Sequence, residues 1–433
     1  MSAPINPPGT RDILVVRGGK PLHGEIQVNG AKNAALKHMA ASLLAEGRTV
    51  VNNVPAIADV PVMGQVLTGL GARVAIDEDP GGTSYTVTID VDEPGWQAPR
   101  RFVTMIRASV AVLGPLVGRV GRARIAPPGG DRIGARRIDM HLTGLEQMGA
   151  QVTQADGEIE VGVPGGRLHG ADITLDFPSV GATENLLMAA VLADGQTVID
   201  NAAREPEIQD LCTMLIAMGA RIDGVGTPTL TVEGVPALHP VTHDTIPDRI
   251  EAGTFAFAAA ITGGDLRIQA ANAGHLKLPL TKLAAIGADI EETDGWLRVR
   301  ASDELQPVDV VTLPYPGFPT DLQPQLMVVL SQAHGTSIVT ENVFESRFEF
   351  VAELTRLGAE IEIDGHHAII RGPRPLTGGR ARSLDVRAGA ACILAGLVAE
   401  GETRIDDVHH IDRGYAAIAE RLQGVGADIE RVV

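Results

Sequence analysis

LTGLGARV (67–74), LEQMGAQV (145–152), LIAMGARI (215–222), LAAIGADI (283–290), LTRLGAEI (354–361) and LQGVGADI (422–429) are six copies of one pattern, Leu-x-x-x-Gly-Ala-x-Val/Ile. Their glycines, Gly71, Gly149, Gly219, Gly287, Gly358 and Gly426, lie 78, 70, 68, 71 and 68 residues apart, so six units account for the chain. A leucine four residues before a glycine reads as the last turn of a helix. The glycine supplies the left-handed residue that closes it, and the Val or Ile restarts a strand. In the last unit Tyr415, Ile418, Leu422 and Val425 step at three, four and three residues, which predicts one helix face.

Working outward, each unit reads as helix, strand, helix, strand. The first helices, seen in ASLLAEG (41–47), LLMAAVLADG (186–195) and AFAAAITGG (256–264), are apolar nearly all round. Such helices are enclosed, which predicts sheets packed outside them. A chain of 433 residues exceeds what one core organises, and six units divide most simply three and three. The fold class expected is α/β, with two domains of three units, helices inside and sheets outside.

Composition narrows the function. Hydrophobic residues at 44% and charged residues at 21% are globular values, and no apolar run reaches bilayer-spanning length. The opening MSAPINPPGTRD lacks the basic region, apolar core and cleavage site of a secretion signal, so it reads as a tail of a cytoplasmic protein. A net charge of −18 argues against nucleic-acid binding, which needs a basic surface, and nothing points to a membrane. Cys212 and Cys392, in DLCTMLIAM and AACILAGLVA, read as core residues with no redox or metal spacing. The pairs His366-His367 and His409-His410 have no ligand partners at metal spacing, so neither a metal nor an organic cofactor is expected. Oligomeric state is not encoded in any of these features.

The largest spacing falls in the second unit, whose extra length includes APPGGDRIGARRIDMHL (126–142). Extra length in a repeat array tends to be functional. Pro127, Pro128, Gly129 and Gly130 predict a mobile loop over about 125–137, and Arg132, Arg136 and Arg137 give it positive charge in an acidic protein. An anionic substrate follows.

GAKNAAL (30–36), RASVAVLGPL (107–116), PGGDRIGARRIDMHL (128–142), PSVGATEN (178–185), PGFPTDLQ (316–323), ENVFESRF (341–348), DVRAG (385–389) and HIDRGY (410–415) together resemble the bacterial UDP-N-acetylglucosamine enolpyruvyl transferases. The blocks are colinear over nearly the whole chain. The resemblance implies a two-domain inside-out α/β barrel, with residues 1–31 plus 247–433 in one domain and 32–246 in the other. It also implies transfer of the enolpyruvyl unit of phosphoenolpyruvate to a sugar hydroxyl by addition and elimination, the first committed step of peptidoglycan precursor synthesis. That chemistry demands an acid, a base and a clamp for a trianion.

By the same resemblance Lys32, Arg136, Arg413, Arg387 and Arg347 hold phosphoenolpyruvate, a task suited to guanidinium forks that stay charged. Asp321 stands beside the acceptor hydroxyl as base, and Lys32, Arg413, Asp131 and Asp321 form the catalytic set. Asn33, Arg107, Arg136, Arg137, Asp139, Ser179, Asp321 and Val343 match positions that contact or shape the nucleotide-sugar pocket. Asp248 and Asp385 read as structural carboxylates that orient arginines. Because Lys32 adjoins an inter-domain crossing and Arg413 lies in the other lobe, the ligands are expected to bridge them on closure.

Two positions depart from the family pattern. Asp131 replaces the cysteine that many members carry as proton donor and fosfomycin target, which predicts insensitivity to that drug. Beside several arginines an aspartate ionises readily, so donation requires its pKa to rise when the site closes. Arg137 replaces a proline next to the uracil site, which keeps open other acceptors such as UMP or, less well matched, shikimate phosphate. An inert nucleotide-sugar-binding paralogue is the remaining alternative, disfavoured by the chemically competent Lys32, Asp131, Asp321 and Arg413.

Overall fold

A computed structural model describes residues 12–131 and 133–433. Residues 1–11 of the leading tail and Arg132 of the loop lie outside the described residues.

The third unit shows how the repeat folds. Its central helix Val180–Ala190 leads into strand Gln196–Asp200, the outer helix Pro206–Ala217, and a hairpin of Arg221–Asp223 with Thr229–Glu233. The short strand Asp172–Thr174 precedes the central helix and pairs in parallel with Gln196–Asp200, so the helix is the crossover of a βαβ element. Each full unit therefore holds a four-stranded sheet, where helix, strand, helix, strand had implied fewer strands. The difference is physical: the segment after each repeat glycine is long enough for a hairpin, whose second strand pairs with the strand that follows the central helix. All six repeat glycines have positive φ, from 93° at Gly71 to 120° at Gly287, as helix-closing residues should.

The apolar helices are enclosed as their composition requires. All thirteen residues of Arg249–Ile261 are buried, and Gln323–Ser331 and Val386–Val398 pack with it as the centre of one core. Lys32–Ala41, Leu113–Val120 and Val180–Ala190 occupy the other. One core gathers apolar residues from Ala35 to Leu238 together with Ala416, and the second takes Leu14–Val28 and Ile250–Ile429. Cys212 and Cys392 are buried, one in each, and burial pushes both thiols up to about 12. Among the described residues no helix is long and apolar enough to cross a membrane.

The last unit corrects one expectation. Its outer helix is only Ile418–Gln423, and Tyr415 stands before it, separated by Ala417 at φ 45°. Tyr415, Ile418, Leu422 and Val425 are all buried nonetheless. Tyr415 accordingly points inward from a turn, its hydroxyl 2.9 Å from Thr254 Oγ1 and 3.1 Å from Gln325 Nε2.

The chain passes between the cores twice, and the two passages are bonded to each other. Strand His23–Gln27 joins the sheet of Asp265–Gln269, whereas Thr242–Asp244 joins that of Gly47–Pro55. Gly30 bridges Pro247, Ala31 N–H donates to Ile246 O at 2.7 Å, and Asp248 N–H donates to Asn29 O at 2.8 Å. Gly30 is obligatory here, because a Cβ would lie 1.6 Å from the carbonyl oxygen of Asn53. Gly30→Ala is therefore expected to cost about 3 kcal/mol, the top of the range for forced overpacking, read as a lowered urea midpoint. An unchanged midpoint would show that the crossing yields without strain.

The second unit differs from the rest. Its sheet has three strands, Arg122–Ile125, Glu158–Gly162 and Gln151–Ala155, and the fourth is reduced to a single bridge between Gln97 and Arg124. Between strand Arg122–Ile125 and helix Asp139–Gln147 runs the long link 126–138, which reaches the other core.

Candidate active site

Lys32 opens the helix Lys32–Ala41 directly after the first crossing. Its backbone N–H donates to Asp248 Oδ2 at 3.1 Å, while Asp248 Oδ1 caps helix Arg249–Ile261 by accepting from Ile250 and Glu251. One buried carboxylate thus ties both crossings to the start of the site. Asp385 likewise caps Val386–Val398, accepting from the backbone N–H of Arg387 at 2.7 Å and of Ala388 at 3.1 Å. Both acids were read as partners of arginine side chains. Both cap helix starts, where the first N–H groups lack internal partners, and Asp248 also faces the charge of Arg387.

Lys32 and Arg413, drawn from opposite ends of the chain, are in direct contact. Lys32 Nζ donates to Arg413 O at 2.6 Å and pairs with Asp59 Oδ2 at 2.9 Å. Asp59 Oδ1 also accepts from Arg413 Nε at 2.8 Å. Asp59 opens helix Asp59–Gly69, and Ala58 just before it donates its N–H to Asp412 O, docking that helix on the turn that carries Arg413. The sequence reading missed Asp59. Its one local sign is an acid at the start of an apolar helix, which reads equally as a partner of the helix dipole.

The loop completes this cluster. Asp131 Oδ1 lies 2.5 Å from Arg413 Nη1. Burial acts to raise the Asp131 carboxyl, but Arg413, Lys32 and Arg136 outweigh it and hold it below the usual range. Burial pushes Lys32 down, against the pull of Asp59.

A second cluster lies in the other core. Asp321 Oδ1 accepts from Arg347 at 3.1 Å and Oδ2 from Arg387 at 3.1 Å. Burial works against its charge, yet these two guanidiniums hold its pKa well below the ordinary value. Arg387 is buried on the first turn of Val386–Val398, and Arg347 is buried at the start of the turn Arg347–Phe350. Arg136 stands between the clusters, lowered by burial and drawn upward by both Asp131 and Asp321.

A cavity of about 410 Å³ opens beside them, lined by Arg107, Gly130, Asp131, Arg136, Glu345 and Ser346 among others. The loop meets the other core there: Ser346 N–H donates to Ile133 O at 3.2 Å, and Ala135 N–H to Glu345 Oε1 at 2.6 Å. Arg107 donates from its guanidinium to the carbonyls of Arg136 and Arg137, and burial lowers it to about 10. Glu345 is a second residue that the sequence reading passed over, since a lone exposed glutamate in ENVFESRF carries no local signal. Glu345→Gln is expected to raise the rate of proteolysis within 129–135 several-fold in the ligand-free protein, because a neutral acceptor holds Ala135 less firmly. Equal cleavage rates would show that Glu345 does not restrain the loop.

The profile of the family described as EPSP synthase (3-phosphoshikimate 1-carboxyvinyltransferase) matches residues 16–422. The UDP-N-acetylglucosamine 1-carboxyvinyltransferase of Mycobacterium tuberculosis is 53% identical over 419 residues, covering 97% of this chain and 99% of that protein. Its counterpart in Nocardia farcinica is 54% identical over 424 residues, covering 97% and 98%. The chain belongs to the UDP-N-acetylglucosamine 1-carboxyvinyltransferase family. It is accordingly an enolpyruvyl transferase, as the sequence motifs implied. Among solved structures, the enolpyruvyl transferase NikO from Streptomyces tendae superposes with a TM-score of 0.88 at 27% identity, covering 98% of this chain and 99% of that one. EPSP synthase from Acinetobacter baumannii shares the fold, with a TM-score of 0.76 at 20% identity over 98% of this chain and all of that one.

In this carboxyvinyltransferase fold, the residues assigned to phosphoenolpyruvate come together around Asp59, Asp131 and Asp321, and of those assigned to the acceptor Arg107 bonds the backbone of Arg136 and Arg137. Arg107 and Arg136 line the cavity; Asn33, Arg137, Asp139, Ser179 and Val343 do not. Asn33 follows Lys32 and receives Lys37 Nζ on its carbonyl oxygen at 2.7 Å. Ser179 caps Val180–Ala190 through Ala182 N–H, and Asp139 is an exposed acid in the first turn of its helix. Val343 donates its N–H to Glu341 Oε1 at 2.8 Å, and Arg137 is exposed.

Proposed function

We propose that this protein transfers the enolpyruvyl unit of phosphoenolpyruvate to the 3-hydroxyl of UDP-N-acetylglucosamine and releases phosphate, the committed step towards peptidoglycan precursors. One observation carries the reading. Lys32, Arg136, Arg347, Arg387 and Arg413 converge where the cores meet, and among the described residues their ion pairs are with Asp59, Asp131 and Asp321. These cations outnumber the carboxylates paired with them, which favours an anion at this point in a protein of net charge −18. Arg347 Nε is buried with no hydrogen-bond partner among the described residues, a donor that a substrate oxygen would satisfy.

In this reading substrate binding resets both acids. The phosphate competes for Lys32 and Arg413, removing from Asp131 the cations that depress it and placing a dianion beside it. The carboxylate of phosphoenolpyruvate competes for Arg387, which lets Asp321 become basic enough to take a proton. The acceptor O–H then loses its proton to Asp321 as the new C2–O bond forms, and C3 takes a proton held at Asp131. In the second half the C2–O(phosphate) bond breaks with its electron pair on the leaving oxygen, C3 returns its proton to Asp131, the double bond reforms, and the phosphate departs with the proton that Asp321 took from the acceptor. The arginines stabilise the anionic tetrahedral intermediate throughout.

Phosphate release from phosphoenolpyruvate tests this, with UDP-N-acetylglucosamine, UMP and shikimate 3-phosphate offered separately. Release only with the nucleotide sugar is expected. Release with UMP alone would assign the same chemistry to another acceptor, and none with any acceptor would make the protein an inert relative.

A further inference from the structure

A buried group with no part in the site above draws on three segments far apart in sequence. His38 is on helix Lys32–Ala41, Asp210 on Pro206–Ala217, and His243 on the short edge strand Thr242–Asp244. Asp210 Oδ1 lies 2.9 Å from His243 Nε2, and Oδ2 lies 3.4 Å from His38 Nε2. The rings meet edge to face with centroids 4.6 Å apart, and one donor atom from each residue lies within 4.8 Å of the other two. His38 is fully buried, and the His243 side chain keeps 10% of its surface exposed.

His38 is not satisfied by the protein. Its Nδ1 is 3.4 Å from Thr245 Oγ1, while Nε2, fully enclosed, makes no hydrogen bond among the described residues. With the ring proton on Nδ1, the Nε2 lone pair faces a carboxylate oxygen, and two acceptors meet with nothing between them. With it on Nε2, the proton points at Asp210 without forming a bond. What suits two imidazole nitrogens around a carboxylate in a dry interior is a cation that accepts all three.

The geometry points to a divalent transition-metal site, of zinc-type chemistry, formed by Nε2 of His38, Nε2 of His243 and the carboxylate of Asp210. Two imidazoles and one carboxylate match zinc and its neighbours, whereas calcium and magnesium ask for oxygen donors throughout. Neighbouring donors around tetrahedral zinc stand about 3.3 Å apart, close to the His38–Asp210 separation, and water completes the fourth position. Outer contacts exist as metal sites require: Thr245 Oγ1 at the far nitrogen of His38, and Ile246 N–H on Asp210 Oδ2 at 3.1 Å. His243 on an edge strand, partly exposed, gives the entry path. A bound ion would cross-link the helix that begins at Lys32 to the segment that returns to the second core. Its role is to stiffen the crossing, with no contact to the reacting atoms.

The test is Co²⁺ titration of the full-length protein after dialysis against a chelator. One equivalent should bind with the visible absorption of a tetrahedral site, Zn²⁺ should displace it, and Zn²⁺ should raise Tm. His38→Leu, an apolar replacement in an apolar place, and His243→Gln, on the edge strand, should each weaken Co²⁺ binding at least tenfold and abolish the Tm shift. Circular dichroism establishes that each variant is folded; if His38→Leu is not, His243→Gln decides. The absence of a band in the wild type at millimolar Co²⁺ would overturn the site. Equal binding by the folded variants would do the same, placing the metal on other histidines such as His366-His367 or His409-His410.

Discussion

Asp321→Asn is expected to lower kcat about 10³-fold, within the range for loss of a general base, while the KM for phosphoenolpyruvate stays level or falls. Asparagine keeps the size and one acceptor oxygen but cannot take the acceptor's proton. It also removes the negative charge between Arg347 and Arg387, both buried. Stripping a buried pair of one partner costs about 3–5 kcal/mol, and the lower figure applies because 27% of the Asp321 side-chain surface is exposed. The variant should therefore melt earlier than the wild type without ligand and recover much of the difference when phosphoenolpyruvate supplies its own carboxylate to the arginines. Steady-state phosphate release and paired melting curves read both effects. A kcat within tenfold of the wild type would move the base elsewhere.

The second large effect concerns Asp131. Fosfomycin should leave the wild type fully active, because a carboxylate cannot form the thioether, and should inactivate Asp131→Cys irreversibly with time. Asp131→Asn should lower kcat about 10²-fold. Against the effect of burial, Arg413, Lys32 and Arg136 hold Asp131 below the ordinary carboxylate value. A group depressed in this way adds stability above its unfolded value of about 3.9, and that stability is lost only as pH falls through the folded value. Neutral pH therefore does not disturb its pair with Arg413. In the complex the phosphate competes for that arginine, so kcat should fall as pH rises through the neutral range. The Asn variant should lose this limb. A flat wild-type profile from pH 6 to 9 would remove Asp131 as the proton source.

Much of this was legible locally. The six repeat glycines announced helix ends, and all six adopt positive φ, because a left-handed residue is a demand made within one turn. The enclosed helices were legible from composition, since a segment such as 249–261 offers no polar face to water. Of the site, the cations and the two acids stood in recognisable blocks. Their pairing did not: Asp321 belongs with Arg347 and Arg387, whereas Asp131 belongs with Arg413 and Lys32. Tyr415 was misplaced on a helix because its inward orientation is shared by a helix face and by a turn bonded to Thr254 and Gln325.

The sequence by itself determined the period, the enclosed helices, the charged loop and the family chemistry, all carried by neighbours along the chain. Only the tertiary structure decided that Asp59 joins Lys32 to Arg413, that Glu345 meets the loop backbone, and that His38, Asp210 and His243 converge. The first two contacts depend on where the crossings place one core against the other, and the third on how three elements of one core pack together. Charges act through space, and residues hundreds of positions apart leave no periodic trace by which to read them.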